Sequence, residues 1–322
     1  MYPDIYIFTE IINCGLIGRV SLESFHKHHD LKVHVFGTKE DFRQLGDIAD
    51  HQNNVLIDIN QYFSSEYLES FKKGHEGTAK IFTFALLHRP GWIGQYKPSL
   101  IGHFDSDVYF KRESISLLQY AYNDGYALSG SRRCFKNNPS GIADLDNYAD
   151  TISTYFMGID TRYIPNAATV DLKMYERMVQ GVQAFGNTPT LDFFDPISHS
   201  IIEAGGKVKY LSPNLIGGQD ENGKKINEYK SNLHFDCGKN LVHFGGVGSG
   251  LSVLTGKSAP EKSYADWAVG RWDLFQKLFN LGDLTVCISI PQTPTVYTAD
   301  SRWGSGSPDE KIIEQIKKDI QK

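Results

Sequence analysis

The chain has 322 residues, of which 40% are hydrophobic and 12% aromatic, and this is enough apolar material for a sizeable folded core. Its formal net charge is −5, and no run of Lys or Arg marks a nucleic-acid groove or an anchor to an anionic membrane. We therefore expect small molecules or neutral polymers as partners, and no nucleic acid.

The N-terminal stretch MYPDIYIFTEIINCG carries acids where a signal peptide carries basic residues, and it lacks a small-residue cleavage site. No apolar run approaches the roughly 18 residues of a transmembrane segment. The four cysteines are far apart and form no CxxC pair, so we expect reduced thiols rather than a disulfide framework or a zinc site. They are Cys14, Cys134, Cys237 and Cys287. These features predict a cytoplasmic protein.

Strand and helix patterns alternate over the first 130 residues. The pattern predicts strands at 4–10, 31–38, 54–60, 98–110 and 126–131, and helices at 18–29, 64–73, 75–88 and 112–125. This order predicts an α/β fold with a mainly parallel sheet and helices on its faces.

After residue 130 the regular alternation of strand and helix patterns ends. We expect a loop at 132–148, a helix near 169–184, a helix that ends at Gly205-Gly206 before a strand, and a strand that runs into glycines at 240–252. The tail, 259–322, reads as a C-terminal extension that ends in a surface helix. Without an internal repeat or a linker, a single domain over 1–322 is the expected organisation.

Two carboxylates stand at the end of an apolar strand in GHFDSDVYF, residues 102–110. Residues i and i+2 of a strand point to the same side, so we expect Asp105 and Asp107 to face together at the edge where open α/β sheets bind ligands. Unpaired carboxylates are costly to bury, and Mg²⁺ or Mn²⁺ prefers such oxygen ligands. A metal held there could bridge a diphosphate and act as a Lewis acid on the leaving group. A plain surface turn is the structural alternative.

This context resembles the GT-A glycosyltransferases, whose nucleotide-sugar domain ends a strand in a DxD motif. The resemblance covers roughly residues 4–250 and rests on IYIFTE, GTAKIFTFALLH, HFDSDVYF and LVHFGG. It implies a Rossmann-like, mainly parallel sheet flanked by helices, with a nucleotide-diphosphate sugar as donor, a UDP-sugar being favoured. It also implies a Mn²⁺ or Mg²⁺ cofactor and a hydroxyl acceptor such as a glycan. Residues 1–130 would then form the nucleotide-sugar half, and 131–258 the acceptor and catalytic half.

The same resemblance implies roles for individual residues on the donor side. Asp107 would bind the metal directly, and Asp105 would contact the ribose or a metal-bound water at the metal site. His243 would complete the metal shell, and its imidazole favours manganese slightly over magnesium. Thr9 and Glu10 would meet the base or ribose. Lys80 would neutralise the diphosphate, unless it is a solvated lysine on a helix.

On the acceptor side, TLDFFDPISHSIIEAGGKV (190–208) resembles the family's element in which an acid begins a helix. In inverting members that acid is the general base that deprotonates the acceptor hydroxyl, which points to Asp195, with Asp192 as the runner-up. Asp195 before Pro196 would also make a good helix N-cap, and the full acidic cluster of many inverting members is missing. Tyr155 and Phe156 fall where the family places an acceptor-facing loop, although aromatic residues more often belong to the core.

Three other interpretations use the same residues. In a haloacid-dehalogenase-like phosphatase, Asp105 would be the nucleophile and Asp107 the general acid, but that motif normally opens the domain. A sugar nucleotidyltransferase would need a glycine-rich, basic loop after the first strand, where IINCGLIGR offers two glycines and Arg19. A binding module without activity would require a degenerate metal site.

The histidines of FHKHHD (25–30) are expected to lie at the end of an outer helix rather than to form a second metal site.

Overall fold

The computed structural model describes residues 3–63, 99–134, 150–164, 194, 198, 201–202, 204–212, 234–236, 240–256 and 262–281. Several expected elements lie outside the described residues, namely the helices at 64–73, 75–88 and 169–184 and the helix at the end of the tail.

The described strands and helices follow in chain order. The strands are β1 (Ile5–Ile11), β2 (Val33–Gly37), β3 (Asn54–Asp58), β4 (Leu100–Phe104), β5 (Val108–Phe110), β6 (Leu128–Cys134), β7 (Asp150–Asp160), β8 (Val208–Ser212), β9 (His234–Asp236) and β10 (Leu241–His243). The helices are α1 (Gly15–His28), α2 (Lys39–Leu45), α3 (Ile115–Asn123), α4 (Val247–Leu254) and α5 (Lys262–Phe279).

A seven-stranded sheet in the order β3-β2-β1-β4-β7-β6-β8 forms the centre of the fold. Strands β3, β2, β1 and β4 pair in parallel, and β6 pairs in parallel with β8. Strand β7 lies antiparallel to both of its neighbours, β4 and β6. The predicted α/β fold with a mainly parallel sheet is therefore confirmed. The sheet also joins strands from both sides of residue 130.

A second, three-stranded sheet in the order β5-β10-β9 is antiparallel. It corrects the expectation of one strand over 98–110, because β4 ends at Phe104 and β5 belongs to this other sheet. Between them, the Asp105 N–H donates to the Tyr155 carbonyl at 3.0 Å, and the Val108 N–H closes a turn on the Asp105 carbonyl at 3.2 Å. The chain leaves the central sheet at Asp105, so the DxD motif is a turn.

A cluster of buried aromatic rings holds both sides of this turn. Phe104 stacks on Phe25 of α1 with ring centroids 5.0 Å apart, and Phe110 meets both rings edge-on at 5.1 and 5.2 Å. All three side chains are fully buried. Offset and edge-to-face pairs of this kind add to the hydrophobic contribution of the rings. The aromatic cluster therefore fixes the residues just before and just after the two aspartates.

Two expectations for the middle of the chain are wrong. The segment expected to provide an acceptor-facing loop is the central strand β7, in which Tyr155 is 1% exposed and Phe156 fully buried, so neither ring is available to stack on a sugar. The loop expected over 132–148 is wrong at its start, because β6 continues to Cys134. In both segments strand pairing on the sheet decides the structure.

Helix boundaries follow local chemistry. Helix α1 begins at Gly15, three residues before the expected start. Helix α2 was missed, although Thr38 and Asp41 form a capping box that is readable in the sequence. The expected stop at Gly205-Gly206 is confirmed, because Gly205 has φ +86° and its N–H bonds to the Ile202 carbonyl.

Helix α5 packs on α4 and was also missed within the tail. Its buried residues recur at helical spacing, which is a signal that the sequence does contain, at Ala265, Ala268, Trp272 and Phe275. No helix in the described part of the chain is both long and apolar enough to cross a membrane.

Candidate metal and nucleotide site

The DxD turn lies at the carboxyl end of β4, in the middle of the central sheet. Asp105 is one-third exposed, whereas Asp107 is 14% exposed. The Asp107 carbonyl accepts a hydrogen bond from the Phe244 N–H at 2.9 Å, which ties the turn to the end of β10. The turn, rather than the pleat of a strand, brings the two carboxylates together.

His243 is the last residue of β10 and pairs with Val108 across the second sheet. Its Nε2 lies 3.3 Å from Asp107 Oδ1. That oxygen is buried and accepts no hydrogen bond within the described residues, so the two atoms approach each other without hydrogen-bond geometry. Ligand atoms of Asp105, Asp107 and His243 all lie within 4.8 Å of one another.

This donor set fits a divalent cation. Two carboxylates and an imidazole suit manganese, and the oxygen ligands also suit magnesium. Asp105, Asp107 and His243 would hold the cation, whose positive charge would balance a buried Asp107 oxygen that accepts no hydrogen bond among the described residues. The structure therefore brings together the three residues expected to hold a metal, although by a different local geometry.

His103 supports this site from within the sheet. Its Nε2 lies 2.7 Å from Glu10 Oε2 at the end of β1, its Nδ1 lies 2.7 Å from the Thr154 carbonyl of β7, and Asp105 Oδ1 is 3.8 Å from Nε2. Burial acts to lower the pKa of His103, but the charge and hydrogen bond of Glu10, together with Asp105 and the Thr154 carbonyl, raise it. Sequence reasoning gave His103 no role, because a histidine within an apolar strand carries no pattern of its own.

Arg271 of α5 is a second cation beside the site that sequence reasoning missed. Its guanidinium is fully buried, and its Nε donates to the Gly245 carbonyl at 3.2 Å. Burial lowers the pKa of Arg271 to about 10, and the negative charge of Asp107 acts in the opposite direction. Arg271 therefore stays protonated at neutral pH, and its positive charge interacts with the negative charge of Asp107.

The remaining predicted residues divide into two groups. Thr9 and Glu10 lie on β1, where successive residues face opposite sides of the sheet, so only Glu10 shares the His103 side. Both are expected to contact the nucleotide, and Thr9 Oγ1 and Glu10 Oε1 are buried without a hydrogen-bond partner among the described residues. Lys80, Asp192 and Asp195 lie outside the described residues.

The histidines near the end of α1 have structural roles. His26 Nε2 lies 2.8 Å from Asn54 Oδ1, and its ring stacks on His51 with centroids 3.9 Å apart. His29 is buried, with Nδ1 2.8 Å from the Phe25 carbonyl, and its Nε2 accepts the Ser114 N–H at 2.9 Å. These contacts agree with the interpretation that the FHKHHD stretch is a helix end.

No protein-family model matches the chain, and no curated protein matches it. Among solved structures, mouse xyloside xylosyltransferase 1 in its apo form is similar to this chain, with 12% identity over 65% of this chain and 85% of that chain and a TM-score of 0.42. The galactosyltransferase LgtC with donor and acceptor sugar analogues matches with 15% identity over 64% and 72% of the two chains and a TM-score of 0.38. An active-site mutant of LgtC gives 16% identity, the same coverage and a TM-score of 0.38.

The proteins in these structures are glycosyltransferases, the class that the sequence resembles. At these identities and TM-scores the function of this chain rests on the residues of its own site.

Proposed function

We propose that the protein is a metal-dependent glycosyltransferase that moves a sugar from a nucleotide-diphosphate sugar to a hydroxyl group of a glycan or another acceptor. A UDP-sugar is the favoured donor, and Mn²⁺ is favoured over Mg²⁺. The observation that carries the proposal is the convergence of Asp105, Asp107 and His243 at the carboxyl edge of the central sheet. Open α/β sheets bind their ligands at this edge.

The predicted site residues have distinct tasks in this proposal. Asp107 and His243 would hold the metal, and Asp105 would act beside it, on the metal or on the ribose. When bound, the metal supplies positive charge that stabilises the diphosphate leaving group. Glu10, fixed by His103, keeps Oε1 for a donor group of the base or ribose. Asp195, or else Asp192, would remove the proton of the acceptor hydroxyl.

The rival enzymes fit the described residues less well. A nucleotidyltransferase needs a basic loop after β1, whereas Arg19 sits within α1 and is bound to Glu23 at 2.8 Å on an exposed face. In a haloacid-dehalogenase-like phosphatase the DxD motif follows the first strand, whereas here it follows β4. In addition, Asp105 Oδ1 lies 3.8 Å from Nε2 of His103, which is itself paired with Glu10, an arrangement that the phosphatase interpretation does not use.

Thermal unfolding in the presence of UDP and Mn²⁺ tests the proposal. We expect the two together to raise the unfolding midpoint more than either alone, because binding to the folded state stabilises it by mass action. GDP with Mn²⁺ tests the preference for uracil. Asp107→Ala should remove the combined effect, and the proposal fails if no nucleoside diphosphate stabilises the wild type in a metal-dependent way.

A panel of nucleotide sugars, assayed for metal-dependent donor hydrolysis, would then identify the donor. Release of inorganic phosphate from sugar phosphates without a nucleotide would instead favour the phosphatase. A cytoplasmic location and a single domain over 1–322 remain predictions from the sequence.

A further inference from the structure

The position of the His243 ring depends on residues that are not metal ligands. His243 is the last residue of the short strand β10 and is followed by Phe244 and then two glycines, and the backbone alone does not select one rotamer for its imidazole. A metal ligand held in one rotamer binds more tightly, because the cost of ordering it has been met during folding.

Tyr155 of β7 restrains one side of the ring. The two rings are stacked, with centroids 4.2 Å apart and planes inclined by 7°. Tyr155 is 1% exposed, and its hydroxyl has no hydrogen-bond partner within the described part of the chain. The aromatic face, rather than the hydroxyl, is therefore what Tyr155 contributes to His243. Through its backbone carbonyl the same residue also accepts the Asp105 N–H, so it contacts two of the three candidate ligands.

Gly245 leaves room for the ring. A Cβ at this position would lie 3.1 Å from His243 Cε1, which is closer than ordinary van der Waals contact, and 3.5 Å from Nε2. The turn continues through Gly246, which has φ +87°, into α4. The Gly245 backbone thus packs close to the imidazole atoms that include the metal-facing nitrogen.

Arg271 of helix α5 fixes the Gly245 backbone. Its Nε donates to the Gly245 carbonyl, and its guanidinium is fully buried. A charged donor to a carbonyl makes a stronger hydrogen bond than a neutral one. Helix α5 is therefore connected to the candidate metal site, although it lies in the segment expected to be an extension.

We infer that Tyr155 and Arg271 are positioning residues, which hold the His243 imidazole toward Asp107 from one side through the stacked ring and from the other through the Gly245 turn. This inference rests on the proposed metal site. It adds that helix α5 contributes to metal binding, because Arg271 on this helix positions the His243 ligand.

Binding of Mn²⁺ alone, measured by the loss of the free-ion electron paramagnetic resonance signal, tests the inference without turnover. We expect Tyr155→Leu to weaken Mn²⁺ binding about tenfold or more, since residues that orient ligands typically contribute factors of this size. Tyr155→Phe keeps the stacked ring and should bind Mn²⁺ like the wild type. Arg271→Met should weaken binding, and Arg271→Lys should restore part of it.

Gly245→Ala provides a test that does not remove a core side chain. Gly245 does not have a positive φ, so alanine fits the backbone, but the new methyl displaces the ring of His243. We expect weaker Mn²⁺ binding with little change in the unfolding midpoint of the metal-free protein. Leu45→Ala, at a buried site on α2, serves as the opposite control, with lower stability and unchanged Mn²⁺ affinity.

The outcomes distinguish a wrong metal site from wrong positioning roles for Tyr155 and Arg271. If the wild type binds no Mn²⁺, the proposed metal site is wrong, and the inference falls with it. If the wild type binds Mn²⁺ and both Tyr155→Leu and Gly245→Ala bind it equally well, the inference alone is overturned. Should Tyr155→Leu fail to fold, Gly245→Ala decides the question.

Discussion

His103 and Glu10 form a hydrogen-bonded pair beneath the candidate metal site, with Nε2 and Oε2 2.7 Å apart. The His103 side chain is fully buried, and that of Glu10 is 14% exposed. The other ring nitrogen of His103 faces the Thr154 carbonyl, which can only accept a hydrogen bond. Two acceptors favour the doubly protonated ring, in agreement with its raised pKa. The pair therefore joins β1, β4 and β7 at the edge where a nucleotide is expected.

Removing the carboxylate from this pair should be costly. We expect Glu10→Ala to lower the free energy of unfolding of the metal-free protein by about 3 kcal/mol at pH 6, because it leaves a buried cation without its partner. The measurement is urea unfolding. Glu23→Ala, which breaks the exposed pair with Arg19, should change the free energy by less than about 1 kcal/mol. Similar losses in the two variants would contradict this account.

The pH dependence of that difference has a definite sign. The folded-state pKa of His103 is raised above its ordinary value of 6.5, so its contribution to stability is fully present below pH 6.5 and is lost as the pH rises through the folded-state pKa. We therefore expect the difference between wild type and Glu10→Ala to shrink at alkaline pH. The Glu23→Ala difference should show no such trend.

The two aspartates should differ in their effects. Asp107→Asn replaces a buried ligand oxygen that faces His243 and should weaken Mn²⁺ binding about tenfold or more. Asp105→Asn, at a more exposed carboxylate, should weaken Mn²⁺ binding less and UDP binding in the presence of Mn²⁺ more. Calorimetric titration with Mn²⁺, and then with UDP at saturating Mn²⁺, distinguishes the two. Equal losses of Mn²⁺ affinity would assign both carboxylates to the metal.

The central sheet was predictable because its strands are apolar runs separated by helix patterns. Strand β7 was not predicted, since the family resemblance placed an acceptor-facing loop at Tyr155 and Phe156, and pairing with β4 and β6 makes this segment a core strand instead. The break after Phe104 was equally hidden. An apolar run on both sides of Asp105 and Asp107 reads as one strand, and the change of sheet depends on pairing with β10, more than 130 residues later.

The site was predictable to the extent that its residues form motifs. Asp105 and Asp107 form a spaced pair, and His243 stands before glycines, so each carries a signal in the sequence. His103, Tyr155 and Arg271 have no such pattern, because their roles come from contacts between distant segments. Arg271, for example, is linked to the site through Gly245, 26 residues earlier, in the turn between β10 and α4.

Acid should destabilise the fold through His29. Burial lowers the pKa of His29, although the Phe25 carbonyl and Glu113 act to raise it, and its Nε2 accepts the Ser114 N–H, which a protonated ring cannot do. A folded-state pKa below 6.5 means that stability is present above 6.5 and is lost as the pH falls. We expect the free energy of unfolding to decline below pH 6.5 and His29→Gln to reduce that decline. Urea unfolding at pH 8, 6.5 and 5 measures it, and an unchanged slope would contradict this role.

Two glycines on the same helix should respond oppositely to alanine. Gly250 of α4 packs against α5, where a Cβ would lie 2.0 Å from the Ala268 carbonyl oxygen, so Gly250→Ala must push the helices apart. We expect a loss of about 2 kcal/mol in the free energy of unfolding, as for other overpacked sites. Gly248 has open space around its Cβ position and no positive φ, so Gly248→Ala should stabilise the protein by about 0.5 kcal/mol through helix propensity. Since Arg271 is carried by α5, Gly250→Ala should also weaken Mn²⁺ binding, whereas Gly248→Ala should not. Urea unfolding and Mn²⁺ titration of both variants check this, and a Gly250→Ala protein as stable as the wild type would show that α4 and α5 do not pack this closely.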